Sequence, residues 1–247
     1  MASFTLHGIP VSRGIAIGRA HLLKPAAREV KHYLVAEERV EAEVNRLTES
    51  IASVNQELLK LRRELPADAP PELGAFIDVH ALILSDPIIA EEPLRIIRSR
   101  HYNAEWALLS QIDALSAQFD EIEDPYLRER KNDILQVGER VLKVLTGSAQ
   151  PLPPSAPAAP DDYAPQMIVV AHDISPADML QFRDRAFVGF VTDLGGQNSH
   201  TAIVARSLDI PAAVGMSNAS QLIAEDDQTR IAIDDDPVIF SNQLRRI

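Results

Sequence analysis

The sequence predicts an α/β domain into which an all-α domain of helical hairpins is inserted, and three observations point there. From Val40 the apolar positions run Val40, Val44, Leu47, Ile51, Val54, Leu58, Leu61 and Leu65, spaced four and three apart as one face of a long amphipathic helix is. Between Gln150 and Gln166, Pro151, Pro153, Pro154, Pro157, Pro160 and Pro165 interleave with Ala and Ser, the composition of a stiff, extended connector. On either side of the helical stretch, near the N-terminus and from Met167 onward, the apolar runs shorten to strand length.

In chain order, Phe4–Gly8 and Ile15–Leu23 read as strands around a turn at Ser12-Arg13-Gly14. The long helix is predicted over Glu37–Leu65, ended by Pro66 and Pro70-Pro71. A helix over Pro71–Leu84 follows, before Ser85. Asp86-Pro87 then offers an N-cap and an N1 proline before Ile88–Arg100, and Asn103 caps Ala104–Ile122. Asp124-Pro125 repeats the signal before Tyr126–Leu145, and Gly147 stands where a C′ glycine belongs. The proline punctuation favours short intramolecular hairpins over an intermolecular coiled coil. Beyond the connector, strands are predicted at Met167–Ala171, Phe187–Val191, Ala213-Val214, Thr229–Ile233 and Val238–Phe240, with helices at Pro176–Phe182 and Ser199–Leu208. The N-terminal strands are too few to form a domain alone and are expected to join the C-terminal half. The predicted boundaries are 1–28 and 166–241 for a discontinuous α/β domain, 29–147 for the inserted helical domain and 148–165 for the connector.

The 247 residues suffice for one large or two modest domains. With no cysteine, disulfide frameworks, thiolate metal sites and thiol nucleophiles are excluded. A formal charge of −12 argues against phosphate-backbone or anionic-lipid partners and for a basic protein partner, so neither nucleic acid nor membrane is expected as a ligand. No apolar run reaches the roughly 18 residues of a membrane span, and Met1–Thr5 lacks a basic segment followed by an apolar one. The expectation is a cytoplasmic protein. Acidity concentrates in residues 66–146, where 15 acids face 8 bases. That surplus reads either as a solvated face or as a docking surface.

Histidine supplies the chemistry near neutral pH. His7 and His21 fall in strand-like segments, His32 and His101 in polar turns, and His80 mid-helix between Val79 and Ala81, all readable as structural or exposed. His172 follows a strand in Ala171-His172-Asp173, near a site or simply on the surface. His200 stands apart. In Thr192-Asp193-Leu194-Gly195-Gly196-Gln197-Asn198-Ser199-His200-Thr201-Ala202-Ile203-Val204-Ala205-Arg206, a strand ends, two glycines turn the chain and a helix begins at the histidine. First-turn amides facing that histidine would stabilise an anion, and a phosphoryl group fits best. Metal binding needs more ligands at the right spacing than this stretch holds.

Gly-Gly-x-x-Ser-His-Thr-Ala-Ile-x-Ala-Arg resembles the phosphohistidine signature of the Enzyme I family of the phosphoenolpyruvate:sugar phosphotransferase system, a domain shared with pyruvate phosphate dikinase and phosphoenolpyruvate synthase. The similarity extends to Gly14-Ile15-Ala16-Ile17-Gly18, to His80-Ala81-Leu82-Ile83-Leu84-Ser85-Asp86-Pro87, to Asp124-Pro125-Tyr126-Leu127-Arg128-Glu129-Arg130-Lys131-Asn132-Asp133 and to Leu208-Asp209-Ile210-Pro211-Ala212. It covers nearly the whole chain, and the helical insertion separates it from the dikinases. Arg13 stands where the family usually has proline, Gln197-Asn198 where it has Arg-Thr, and the 151–165 connector is longer than usual.

The resemblance implies a swivelling phosphohistidine domain with an inserted helical domain that docks the phosphocarrier protein HPr. It implies that His200 takes a phosphoryl group from phosphoenolpyruvate and hands it to a histidine of HPr, the first step of sugar phosphotransferase transport. Gly195, Gly196, Ser199 and Thr201 would bind the phosphoryl oxygens, with Arg206 either structural or in contact with them. The docking face would comprise Glu72, Ala75, His80, Leu82, Ile83, Asp86, Ile89, Phe119, Leu127 and Arg130, although Leu82, Ile83 and Ile89 are equally readable as core. The phosphoenolpyruvate-binding barrel with its magnesium is not recognisable in these residues. The chain is therefore expected to hold no cofactor, to be monomeric, and to exchange phosphate with HPr without using phosphoenolpyruvate alone; the full enzyme would dimerise through its C-terminal domain. Two other readings stay open: a carrier domain of a dikinase-type enzyme, and a non-catalytic helical interaction module.

Overall fold

The computed structural model describes residues 3–23, 30–65, 69, 71–124, 127–128, 130–147, 166–175, 178–179, 187–197, 199–207, 209–233 and 238–242. The chain divides into two compact units, one of Met1–Lys24, Asp68–Leu73 and Gln150–Ile247, the other of Pro25–Ala67 and Gly74–Ala149. The proline-rich connector and most of the predicted Pro176–Phe182 helix lie outside the described residues.

The first unit is built on an eight-stranded sheet. Its strands are β1 (Ser3–His7), β2 (Ile9–Ser12), β3 (Gly14–Leu23), β4 (Met167–Ala171), β5 (Phe187–Thr192), β6 (Ala212–Val214), β7 (Gln228–Ile233) and β8 (Val238–Asn242), in the order β1-β8-β7-β3-β4-β5-β6-β2. The ends of that order, β1 and β2, are joined by Gly8 alone, so the sheet curls to bring its two edges together. At the centre, β3, β4, β5 and β6 run parallel, while β7, β8, β1 and β2 pair antiparallel. Parallel strands are covered on both faces and read as unbroken apolar runs, and Ile168, Val169, Val170 and Ala171 are indeed fully buried. The strand β2 is absent from the periodicity because four residues containing Pro10 carry no alternation; proline is tolerated there since β2 ends the strand order. Packed near the sheet are the short helices α7 (His200–Ser207) and α8 (Ala219–Leu222).

The second unit is helical. It contains α1 (Val40–Arg63), most of α2 (Pro71–Ser85), α3 (Pro87–Ala90), α4 (Glu92–Arg100), α5 (Ala104–Asp120) and α6 (Lys131–Thr146). The apolar face of α1 is buried as its spacing requires, with Leu47, Val54 and Leu58 wholly inaccessible. Asp86 caps α3 by accepting from Ile88 N at 2.8 Å, and Gly147 ends α6 at φ 64° with its N–H on the carbonyls of Lys143 and Val144.

Two readings need correction. The single helix expected over Ile88–Arg100 is two, because Pro93 near the start of α4 has no N–H to donate and its ring crowds the preceding turn. Asn103 occupies the cap position of α5 but makes no cap bond. Its side chain binds Lys31 O, Tyr33 N and Glu105 Oε2, and Glu43 Oε2 accepts from Ala104 N at 2.8 Å instead. Arg46 bridges Glu43 and Glu105, so the two buried carboxylates share one guanidinium beside the helix start that Glu43 caps.

Candidate functional site

The parallel strands β4, β5 and β6 end side by side, and the loops leaving their carboxyl ends meet there, where α/β sheets place ligands. Asp193 N donates to Ala171 O at 3.1 Å and Leu194 N to His172 O at 3.0 Å, tying the loop after β5 to the loop after β4. Gly195 then adopts φ +106°, a conformation glycine alone accepts readily, and a Cβ there would lie 3.1 Å from Ser199 Oγ and 3.3 Å from Val214 Cβ. A Cβ on Gly196 would meet nothing within 4 Å, so its backbone is open on that side.

Ser199 starts α7: its carbonyl accepts from Ile203 N at 3.0 Å and its Oγ from Ala202 N at 3.2 Å. In the second bond the hydroxyl is the acceptor and keeps its own proton to donate. His200 is the first residue of α7 and is half-buried. The amides of His200 and Thr201 precede the first i→i−4 bond of the helix, in the region where the helix dipole favours negative charge. Arg206, exposed one and a half turns on, donates from Nη1 to Gln197 O at 2.9 Å and so braces the glycine loop through its backbone.

Thr201 is a correction. Its side chain is buried and its hydroxyl donates to Ile174 O at 3.0 Å, so the proton expected on a phosphoryl oxygen is committed to the fold. The loop contact that the periodicity and motif reading passed over is Asp193. Its carboxylate accepts from Ser220 N at 3.0 Å, from Ser220 Oγ, and pairs with His172 Nδ1 at 3.2 Å. His172 thus lies beside the loop, with its side chain 45% exposed.

In the helical unit, the residues carried over for docking divide into two sets. Ala75, Leu82, Asp86 and Leu127 are exposed, Leu82 at 71% and Leu127 at 48%. Ile83 and Phe119 are half-buried against a cluster of Ile89, Leu115 and Ile134. Ile89 is only 3% exposed, so it belongs to the core, and its neighbour Ile88 carries the exposed apolar surface at this turn. His80 is also buried, with Nε2 lying 3.9 Å from Asp133 Oδ1 and making no hydrogen bond among the described residues. Arg130 Nη1 reaches Asp133 Oδ2 at 3.3 Å, so Asp133 gathers His80 and Arg130 at one place. The packing reading of His80 fits better than its place on the docking face, since a ring so buried offers no edge to a docked protein, whereas Arg130 is half-buried. Glu72, exposed, is the second residue of α2, in the part of that helix that belongs to the first unit.

Among the described residues no group of three His, Cys, Asp or Glu is arranged to hold a metal ion, and no single helix is long and apolar enough to cross a membrane.

A glycine turn at the carboxyl ends of parallel strands, opening a helix on a histidine, is a setting that suits an anionic group, and comparison with known proteins gives the chain its family. Residues 7–130 match the family "PEP-utilising enzyme, N-terminal" and residues 163–236 match "PEP-utilising enzyme, mobile domain". The chain belongs to the PEP-utilising enzymes. It is 64% identical over 226 residues to the phosphoenolpyruvate-protein phosphotransferase of Cupriavidus necator, covering 91% of this chain and 39% of that protein. The Listeria innocua protein of the same name is 36% identical over 222 residues, covering 90% and 37%. The chain thus spans about two fifths of the length of these relatives. A solution NMR structure of Enzyme I superposes with a TM-score of 0.65 at 27% identity, over 97% of this chain and 94% of its own. The N-terminal domain of a nitrogen-type Enzyme 1, at TM-score 0.62, 24% identity and 91% and 89% coverage, shares the fold.

Proposed function

We propose that this chain is the phosphoryl-carrying half of an Enzyme I, and that His200 passes a phosphoryl group from phosphoenolpyruvate to the histidine of HPr at the entry to sugar transport. The observation that best supports this is the position of His200 at the first residue of α7, directly after the Gly195 turn. In this reading residues 1–28 and 166–241 form the phosphohistidine domain, 29–147 the domain that docks HPr, and 148–165 the connector between them. In the same reading, phosphoenolpyruvate and magnesium belong to a further barrel domain of the whole enzyme, through which it pairs. The chain works in the cytoplasm.

The chemistry follows from imidazole. The lone pair of the neutral Nε2 attacks phosphorus in line, a new N–P bond forms, and the bond to the donor breaks with its electron pair leaving on the donor atom. Positioning and charge stabilisation supply most of the rate. The first-turn amides of α7, the open backbone at Gly196 and the Ser199 hydroxyl meet the phosphoryl oxygens. Arg206 acts on the loop through the Gln197 carbonyl, and Thr201 anchors α7 to Ile174. On the helical unit, exposed Leu82, Ile88 and Leu127 among acids suit a carrier whose site is ringed by basic residues, with the charges raising the association rate.

Incubating the chain with phosphoenolpyruvate and magnesium should leave its mass unchanged. Phosphorylated HPr should add a single phosphate. Phosphate from the first mixture would mean that the donor site lies within these residues, and none from the second would refute the proposal.

A further inference from the structure

We propose that Asp193 is a positioning residue for the His200 loop, acting with Ser220 and His172; this rests on the phosphoryl-carrier reading of His200. Asp193 is the one residue of the Thr192–Arg206 stretch whose carboxylate the mechanism leaves unused, and it is buried, 3% exposed with its side chain inaccessible. Burying a carboxylate is unfavourable unless its oxygens are matched by donors. Here they are matched from two directions. Ser220 at the start of α8 supplies its N–H at 3.0 Å and its hydroxyl, and His172 at the end of β4 supplies Nδ1 at 3.2 Å.

The backbone of the same residue is engaged as well. Asp193 N donates to Ala171 O and its carbonyl accepts from Ser217 N, each at 3.1 Å. Around it, Met216 N donates to Thr192 O at 3.0 Å and Gly215 N to Leu194 O at 3.3 Å. Gly215, at φ +69°, lies so close that a Cβ on it would sit 3.2 Å from Gly195 O. The turn at 215–220 is therefore the floor on which the Gly195-Gly196 turn rests, and Asp193 clamps floor, loop and β4 together. His200 comes six backbone steps after the clamp's neighbour Leu194, on a loop whose other end is held by Arg206. A reacting atom misplaced by about 1 Å can cost on the order of a hundredfold in rate, so a clamp at this point sets the aim of the imidazole.

The test uses the whole 247-residue chain, phosphorylated HPr as donor, and single-turnover kinetics over a range of donor concentrations. Asp193→Ala should lower the maximal rate of His200 phosphorylation about tenfold to a hundredfold while the half-saturating HPr concentration changes less than about twofold. Asp193→Asn should restore the rate to within about threefold, since its amide keeps an acceptor for Ser220 N and can donate to Ser220 Oγ and to His172 Nδ1 in its other tautomer. Amide hydrogen exchange at Ser217 and Ser220 should quicken in Asp193→Ala and return in Asp193→Asn. A folded Asp193→Ala chain with the wild-type rate, or an Asn variant that fails to rescue, overturns the inference. If Asp193→Ala does not fold, Ser220→Ala serves, with about a threefold loss of rate expected and an unchanged rate overturning. If the wild type accepts no phosphate, the carrier reading has failed. The exchange data still judge the clamp then, and unaltered exchange in Asp193→Ala overturns it.

Discussion

Replacing Ile89 by Ala should destabilise the helical unit by about 2–5 kcal/mol, whereas Leu82→Ala should cost less than about 1. Both residues border the α2–α3 turn, and both were readable as docking surface or as core. Ile89 is 3% exposed and packs against Leu115 and Ile134, with Ile83 and Phe119 alongside. Truncation removes three buried carbons, at about 0.8 kcal/mol each a transfer term of about 2.4 kcal/mol, and the cavity left among fixed neighbours adds to it. Leu82 is 71% exposed, so less than a third of the same transfer term is at stake. The chain contains one tryptophan, Trp106, which lies in α5 and stacks on Tyr102 with ring centroids 3.5 Å apart. Its fluorescence during urea unfolding therefore reports on the helical unit, which matters because two units need not unfold as one. HPr binding separates the two positions in the other direction: Leu82→Asp should weaken it at least tenfold with little change in the unfolding midpoint. An Ile89→Ala midpoint equal to wild type, or equal losses at both positions, would refute the assignment of Ile89 to the core.

Three further outcomes follow. The Arg98 guanidinium bonded to Glu41 lowers the Glu41 carboxyl pKa below its ordinary value, so this pair supports the fold above the unfolded carboxylate pKa and its contribution fades as pH falls through the lowered one; Arg98→Ala should return the Glu41 titration, followed by NMR, to the ordinary range. Thr201→Val should cost about 1–3 kcal/mol of stability by leaving the Ile174 carbonyl unmatched, yet keep phosphate uptake within about threefold, while loss of uptake in a folded variant would return Thr201 to the phosphoryl site. Gly195→Ala should lose about 1–3 kcal/mol from strain at φ +106° and slow uptake, whereas Gly196→Ala should melt near wild type, as calorimetry of both would show.

Elements whose apolar spacing is long or unbroken were legible in the sequence: α1 from its four-three pattern, and β4 from a run buried on both faces. What escaped is decided by single residues or by distant partners. Pro93 splits a helix that composition alone runs together, and Pro10 hides β2. Asn103 looks like a cap, yet the cap comes from Glu43, 61 positions before the Ala104 amide that it accepts from. The His200 loop was readable because glycines, serine and histidine stand adjacent. Asp193 was not, because Ser220, its principal partner, is 27 residues away and is brought to it only by the parallel order of β4, β5 and β6. Between Ile88 and Ile89 the sequence cannot choose which faces inward; the packing of α3 on Leu115 and Ile134 does.

The central claim is that His200 carries the phosphoryl group, and locating that group tests it most directly. The chain is incubated with phosphorylated HPr, kept alkaline to preserve an acid-labile N–P bond, digested and sequenced by mass spectrometry, with His200→Ala alongside. The account predicts one added phosphate on the peptide containing His200, and none on His200→Ala at an unchanged circular dichroism spectrum and melting temperature. Phosphate persisting in the variant, at His80 or His172 for example, would contradict it.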